Sequence, residues 1–216
     1  MTELGAGVEP FGPDNARVAA GYPLFGRWAR PILGYSDLNQ NGLIERSEVL
    51  LGDTLVYMGP SEPNYEANVF TTFSFFRGAL TATAGFAYQD GLTQVNQTIG
   101  GVGQAIFSPG VSDPSSSFGE QAAVAVMNET SYGLLQTVNT LRLNSISVAF
   151  NAPPSLARRF GTKALSIAVQ GTNVGLWTNY KGKDPSVNAY ATGNSVADTG
   201  VLPIPRSWLL TVRATY

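Results

Sequence analysis

The sequence contains no cysteine and no histidine. Disulfides, thiol catalysis, cysteine–histidine zinc sites and any histidine-based triad are therefore excluded. Charge is also scarce. Asp, Glu, Lys and Arg make up 13% of the chain, about half the usual share for a soluble globular protein. The net charge of −2 gives no ground for a nucleic-acid partner or a polybasic membrane contact. No apolar run reaches the length of a transmembrane helix. The first residues, MTELGAGVEPFGPDN, have neither a basic region nor an apolar core, so no signal peptide is expected in them. No two carboxylates are spaced for hydrolysis. The stretch GGVGQAIFSPG lacks the Lys-Ser/Thr and the strand–helix frame of a phosphate loop. The chain is expected not to be an enzyme.

What is present is apolar and glycine-rich. Hydrophobic residues reach 44%, with 24 glycines among 216 residues. High apolar content, little charge and no long apolar run leave two classes. One is a soluble β-sandwich or barrel. The other is a transmembrane β-barrel, whose strands alternate apolar-out and polar-in.

The alternation is explicit at the C-terminus. In SWLLTVRATY, residues Trp208, Leu210, Val212, Ala214 and Tyr216 share one face. Ser207, Leu209, Thr211, Arg213 and Thr215 share the other. A mid-strand arginine opposite an apolar face suits lipid outside and water inside. In KALSIAVQGTNV, Leu165, Ile167 and Val169 alternate with Ala164, Ser166, Ala168 and Gln170. In VNTLRLNSISVAFN, Ile146, Val148 and Phe150 are in phase, while Leu141 and Leu143 are not, which predicts a bulge near Asn144 or a loop-like start. NYEANVFTTFSFF places Tyr65, Ala67, Val69, Thr71, Phe73 and Phe75 on one face. After Arg77-Gly78, Leu80, Ala82, Ala84, Phe86 and Tyr88 alternate with Thr81, Thr83, Gly85 and Gln89. Residues 53–58 are a candidate sixth strand.

The connections sort by length. With the C-terminus in the periplasm, residues 1–63 (with the loop described next), 91–137 and 175–203 would be long extracellular segments. Arg77-Gly78 and the stretch Pro153 to Thr162 would be short periplasmic turns. Bacterial barrels have this asymmetry, and a soluble sandwich has no reason for it. Strands are expected at about 64–90, 138–174 and 204–216. Phe73, Phe75 and Phe76 would lie in an aromatic girdle at the periplasmic end.

One segment carries metal chemistry. DLNQNGLIERSE, Asp37 to Glu48, matches the twelve-residue calcium-loop pattern. Asp37, Asn39 and Asn41 fill the first, third and fifth places. Gly42 makes the turn at the sixth. Leu43 would offer its carbonyl, Glu45 would act directly or through water, and Glu48 would be bidentate. Ile44 would point inward. The competing reading is an Asn/Gly turn that matches the pattern by chance. Pro23, Pro31 and Gly34 forbid an entering helix. A short helix is expected only after the loop, around Ser47 to Leu51. The cofactor reading is Ca²⁺ in a structural clip, at the affinity of extracellular modules, roughly 10⁻⁴ to 10⁻³ M.

Several stretches together resemble the C-terminal part of the SusC/RagA-type TonB-linked outer-membrane transporters. TLRLNSISVAFNAPPSL resembles that family's RLRN-type strand. VQGTNVGLWTNYKGKDPSVN resembles its NL-x-LWT-x-Y-x-G-x-DPE segment, with Ser186 in place of the acidic residue and Asn173-Val174 in place of Asn-Leu. PIPRSWLLTVRATY resembles the closing strand, whose terminal alternation (Trp208, Leu210, Val212, Ala214, Tyr216) is similar to the outer-membrane insertion signal. The region from GYPLFGRW to SEPNY resembles the part of the family that carries a D-x-N-x-D-G loop before a strand. Residues 91–137 match nothing in it.

The resemblance implies an all-β fold: antiparallel strands of the C-terminal part of a transmembrane β-barrel, with long extracellular loops. It implies a bacterial outer-membrane location and import of oligosaccharides or peptides. The implied partners are outer-membrane lipid, the rest of the barrel and its plug, a SusD-like lipoprotein, and TonB. Five or six strands cannot close a membrane barrel, whose smallest members have about eight. The chain is thus expected to be a fragment, not competent for transport alone. Trp177, Tyr180, Arg142 and Arg213 are candidate substrate or rim contacts. Rim packing for the aromatics, and plug packing for the arginines, are the plainer roles. The alternative is a soluble calcium-stabilised β-domain acting as a carbohydrate-binding or adhesion module. A secreted β-rich hydrolase is disfavoured by the missing histidine and carboxylate pair.

Overall fold

In the computed structural model, residues 16–96, 115–186, 197–198 and 202–216 are described. The chain is mainly antiparallel β-structure, as its alternation predicts, with two short helices among these residues. It divides into two compact units. The sheet unit comprises Tyr65–Gln89, Thr140–Thr178 and Ile204–Tyr216. The loop unit comprises Met1–Asn64, Asp90–Asn139 and Asn179–Pro203.

Five strands build the main sheet: β5 (Tyr65–Phe75), β6 (Leu80–Asn96), β7 (Leu135–Asn151), β8 (Ala164–Thr178) and β10 (Ser207–Thr215), in the order β10-β8-β7-β6-β5. The register between β10, β8 and β7 aligns their apolar residues in rows. Trp208 lies opposite Gly171 and Gly171 opposite Ile146. Leu210, Val169 and Val148 form the next row, and Val212, Ile167 and Phe150 the one after. The intervening rows are small or polar, among them Ser207–Thr172–Ser145, Thr211–Ala168–Ala149 and Arg213–Ser166–Asn151. Directly opposed residues point to the same side of a sheet. One face is thus apolar over three strands, and the other is mostly polar. Gly171 is where the apolar face needs a glycine, because a Cβ there would lie 2.7 Å from the Trp208 ring.

The hairpin β5–β6 continues the polar face. Thr72 and Thr83 hydroxyls meet at 3.3 Å, and the Gln89 amide donates to Glu66 at 2.7 Å. Its turn holds Phe76, Arg77 and Gly78 at φ 54°, 56° and 88°. Two consecutive non-glycine residues in this left-handed region cost about 1–2 kcal/mol each. The second short connection contains α2 (Pro154–Arg159), which begins on a proline. Pro at the first helical position is favoured, because its missing N–H has no partner there anyway.

The bulge expected near Asn144 is there. The register of β7 against β8 shifts between Leu143 and Ser145. The extra residue falls in β8, where Asn173 takes φ 52°. Asn is among the few residues that tolerate this conformation.

Smaller strands occupy the loop unit: β1 (Arg27–Ala29) pairs with β4 (Val56–Gly59), and β2 (Ile32–Tyr35) pairs with β3 (Val49–Leu51). The two-residue β9 (Ala197–Asp198) runs parallel to the end of β6. The helix expected around Ser47 to Leu51 is a correction. A single 3₁₀ turn spans Arg46–Glu48, and Val49 then turns extended and enters β3. Val-Leu-Leu has a ready partner in β2, and pairing outweighs local helix preference in so short a segment. A helix that the alternation did not announce, α1 (Phe118–Ala125), starts at Ser117, whose side chain accepts from the Glu120 amide.

Candidate functional site

The loop Asp37 to Glu48 is organised by its own oxygen atoms. Asp37 Oδ1 accepts from the Asn41 amide at 3.1 Å, and Oδ2 from the Gly42 amide at 2.8 Å. Asn39 Oδ1 also accepts from Asn41 N at 3.0 Å, and Asn41 Oδ1 accepts from Leu43 N at 2.8 Å. Gly42 sits at φ 79°, the left-handed turn that the sixth place needs. Glu48 closes the ring. Its Oε1 accepts from the Leu38 and Asn39 amides at 2.8 and 3.3 Å, and its Oε2 from Glu45 N at 2.9 Å.

Glu48 is buried, at 9% exposure. Its carboxyl is nevertheless held below the usual carboxylate range. The Glu45 amide is the largest cause, opposed by burial, and the Leu38 and Asn39 amides add to it. A carboxyl depressed in the fold contributes stability above its unfolded pKa and loses that contribution as pH falls through its folded pKa. Protection factors of the Leu38, Asn39 and Glu45 amides, taken relative to the unfolded rate at each pH, should therefore be high at neutral pH and fall on acidification below the ordinary carboxylate range. Protection factors that stay unchanged from about pH 6 down to about pH 2, well below the ordinary glutamate range, would count against a charged Glu48 as the closing group.

These atoms are hard oxygen donors of the kind Ca²⁺ takes. Among the described residues, no three Asp, Glu, His or Cys side chains group closely enough to hold a metal by themselves. A cation here would need the Asn39 and Asn41 amide oxygens and the Leu43 carbonyl beside Asp37, Glu45 and Glu48. Each carboxylate oxygen has about two acceptor positions. Glu48 Oε1 already uses two, so bidentate binding requires the longer Asn39 bond to release.

The loop is fastened from behind by Ile44, expected to point inward, and by residues that no local pattern marked. Ile44 is buried with Val49, Ala122 and Val126. Gln121 is 1% exposed. Its Oε1 accepts from Ile44 N at 2.7 Å, and its Nε2 donates to the carbonyls of Gly42 at 3.3 Å and Ser116 at 3.0 Å. Arg46 Nη2 donates to Glu129 at 2.7 Å, with Nε on the other oxygen, and Arg30 Nη2 reaches the Glu129 carbonyl at 3.0 Å. The signal for α1 was the spacing Ser117-x-x-Glu120 before an apolar run. Nothing local marked Gln121 as the fastener. Gln121→Leu leaves the Ile44 amide buried without an acceptor and should destabilise the loop unit by about 1–3 kcal/mol. Urea unfolding read by Trp28 fluorescence would measure it, and a loss under about 0.5 kcal/mol would contradict the fastening role.

The other candidate residues are dispersed. Tyr180 is buried in the loop unit at 6% exposure, so its ring is not presented to a ligand. Trp177 is 55% exposed. It lies across from Leu141 and covers Gly175. Arg142 Nη1 donates to Asn173 Oδ1 at 2.6 Å, and Asn173 Nδ2 donates on to the Ile204 carbonyl. Arg142 thereby braces the bulge. Arg213 stands on the polar face opposite Ser166. Trp208, Leu210 and Val212 are each more than half exposed on the apolar face, and Tyr216 is 80% exposed.

No family model matches the chain, and neither does any curated protein. Solved structures do. In its closed-closed state, a chain of the RagAB peptide importer matches 99% of this chain with a TM-score of 0.67 and 17% identity. The RagAB peptide transporter matches 99% with a TM-score of 0.64 and 16% identity. The importer in its open-open state covers the whole chain with a TM-score of 0.62 and 17% identity. This chain spans 25% of each of those chains. The likeness is one of fold, shared with chains of that importer.

Proposed function

We propose that this chain is a barrel segment of a TonB-dependent outer-membrane importer of the SusC/RagA type. The observation that carries the proposal is the two-faced sheet. Three strands align an unbroken apolar face while leaving it open, and both edge strands, β5 and β10, are exposed along almost their whole length. In water such a face and such edges invite aggregation. In a bilayer the apolar face meets lipid, and further strands of the same barrel pair with the edges.

The cargo would be oligosaccharides or peptides, and the fold shared with a peptide importer favours peptides. TonB and a SusD-like lipoprotein would be partners of the complete transporter. The loop unit would be extracellular, with Ca²⁺ stiffening Asp37 to Glu48. Without more strands and a plug, the segment would not transport. The first test is an immunoblot of the source cell's outer-membrane fraction, heated and unheated. A band several times larger than 22.9 kDa that shifts on heating supports the proposal. A band at the size of this chain in the soluble or secreted fraction sinks it and favours a calcium-stabilised binding module.

A further inference from the structure

Charge is distributed unevenly between the units. The chain's net charge is −2, yet the sheet unit holds seven Lys and Arg residues against a single acidic side chain, Glu66. Glu66 lies at the start of β5. The opposite end of that sheet, where the connections are short, has no acidic side chain.

Four cations gather at that short end. Arg77 sits in the β5–β6 turn, Arg158 and Arg159 end α2, and Lys163 precedes β8. All four are exposed. The backbone joins their connections: Asn151 N donates to the Ala79 carbonyl at 2.7 Å, and Lys163 N to the Thr215 carbonyl at 2.6 Å. Bare aromatic rings stand among them, with Phe76 and Tyr216 each 80% exposed and Phe160 65%. The turn keeps Phe76 and Arg77 in a left-handed backbone that Asn-Gly would adopt more readily. Lys163 Nζ is used on the Tyr216 carbonyl at 2.9 Å. The three arginines are the groups left to meet a ligand. The C-terminal position of Arg158 and Arg159 on α2 also suits the helix dipole. That does not account for Arg77, which is on another connection.

We propose that this rim is a binding site for anionic phospholipid, with the arginines on the headgroup phosphates and Phe76, Phe160 and Tyr216 at the boundary with the acyl chains. The chemistry follows from the pairing of types. Guanidinium groups take phosphate in a bidentate fork. Aromatics prefer the level between headgroup and hydrocarbon, and clustered basic residues beside a membrane-spanning element select anionic lipid. The proposal rests on the membrane-barrel reading above.

The test is native mass spectrometry of the protein as extracted from its own membrane, stripped of lipid, then offered phosphatidylglycerol or phosphatidylcholine with the same acyl chains. Phosphatidylglycerol should be retained roughly tenfold better. The combined change Arg77→Gln, Arg158→Gln, Arg159→Gln should bring the ratio close to one, and the three changes to Lys should keep most of it. Equal retention by the unaltered protein, or a preference that survives the Gln changes, overturns the proposal alone. If the Gln variant does not assemble, the Lys variant and a salt series decide. A preference that stays constant from about 0.05 to 0.5 M NaCl is not electrostatic and overturns it. A protein that does not partition with membrane at all overturns both this proposal and the transporter reading.

Discussion

Leu210→Arg should destabilise the fold in a bilayer by about 2–4 kcal/mol, while Leu209→Arg on the same strand should be nearly silent. The two leucines are adjacent and almost equally exposed, at 64% and 59%. Exposure to water therefore predicts the same small effect for both. Register separates them. Leu210 continues a row through Val169 to Val148, whereas Leu209 lies opposite Gln170, itself opposite Ser147. If the first row faces lipid, a guanidinium there costs about 2–4 kcal/mol near the bilayer midplane. On a wet lumen side it costs little. Heat-modifiable migration after extraction, with a urea series in lipid vesicles, reads the difference. Equal behaviour of the two variants would remove the membrane assignment of the apolar face, whatever the fold.

Calcium should bind the loop Asp37 to Glu48 weakly, at roughly 10⁻⁴ to 10⁻³ M, and Asp37→Ala should abolish binding. Asp37 has two tasks in the structure: it occupies the first ligand place, and its two oxygens hold the amides of Asn41 and Gly42. Removing it leaves those amides to water and takes away one of the few carboxylates. Asn39→Asp is the informative counterpart. It adds a charge at the third ligand place, retains the oxygen that accepts from Asn41 N, and should tighten binding several-fold. Calorimetry at millimolar calcium reads both, and amide exchange of Leu38 to Glu45 reports whether the loop stiffens. If neither variant alters calcium binding, or the unaltered protein takes up none, the segment is an Asn/Gly turn held by Gln121 and its own side chains.

Much of the sheet was legible because β-structure writes itself with period two. Trp208 to Ala214 and Leu165 to Val169 show which residues share a face without reference to any partner. The out-of-phase Leu141 and Leu143 signalled the irregularity at Asn144. Asp37, Asn39, Asn41, Gly42 and Glu48 stood out because a metal-type loop is built from consecutive residues. The missing cysteine and histidine removed whole classes of chemistry from composition alone.

The remaining features depend on contacts between distant segments. The bulge lies in β8, at Asn173, because the register is a property of two strands and not of either one. The chain after Glu48 enters a strand instead of continuing as a helix because Val49 to Leu51 meet β2. Gln121 holds the loop from 77 positions away, measured to Ile44, a pairing that no local pattern encodes. The near-neutral composition concealed a basic sheet unit, since a net charge sums over residues that the fold segregates. Local periodicity determined the faces, and only tertiary structure decided what lies opposite them, because burial, register and the gathering of charge arise only when segments meet.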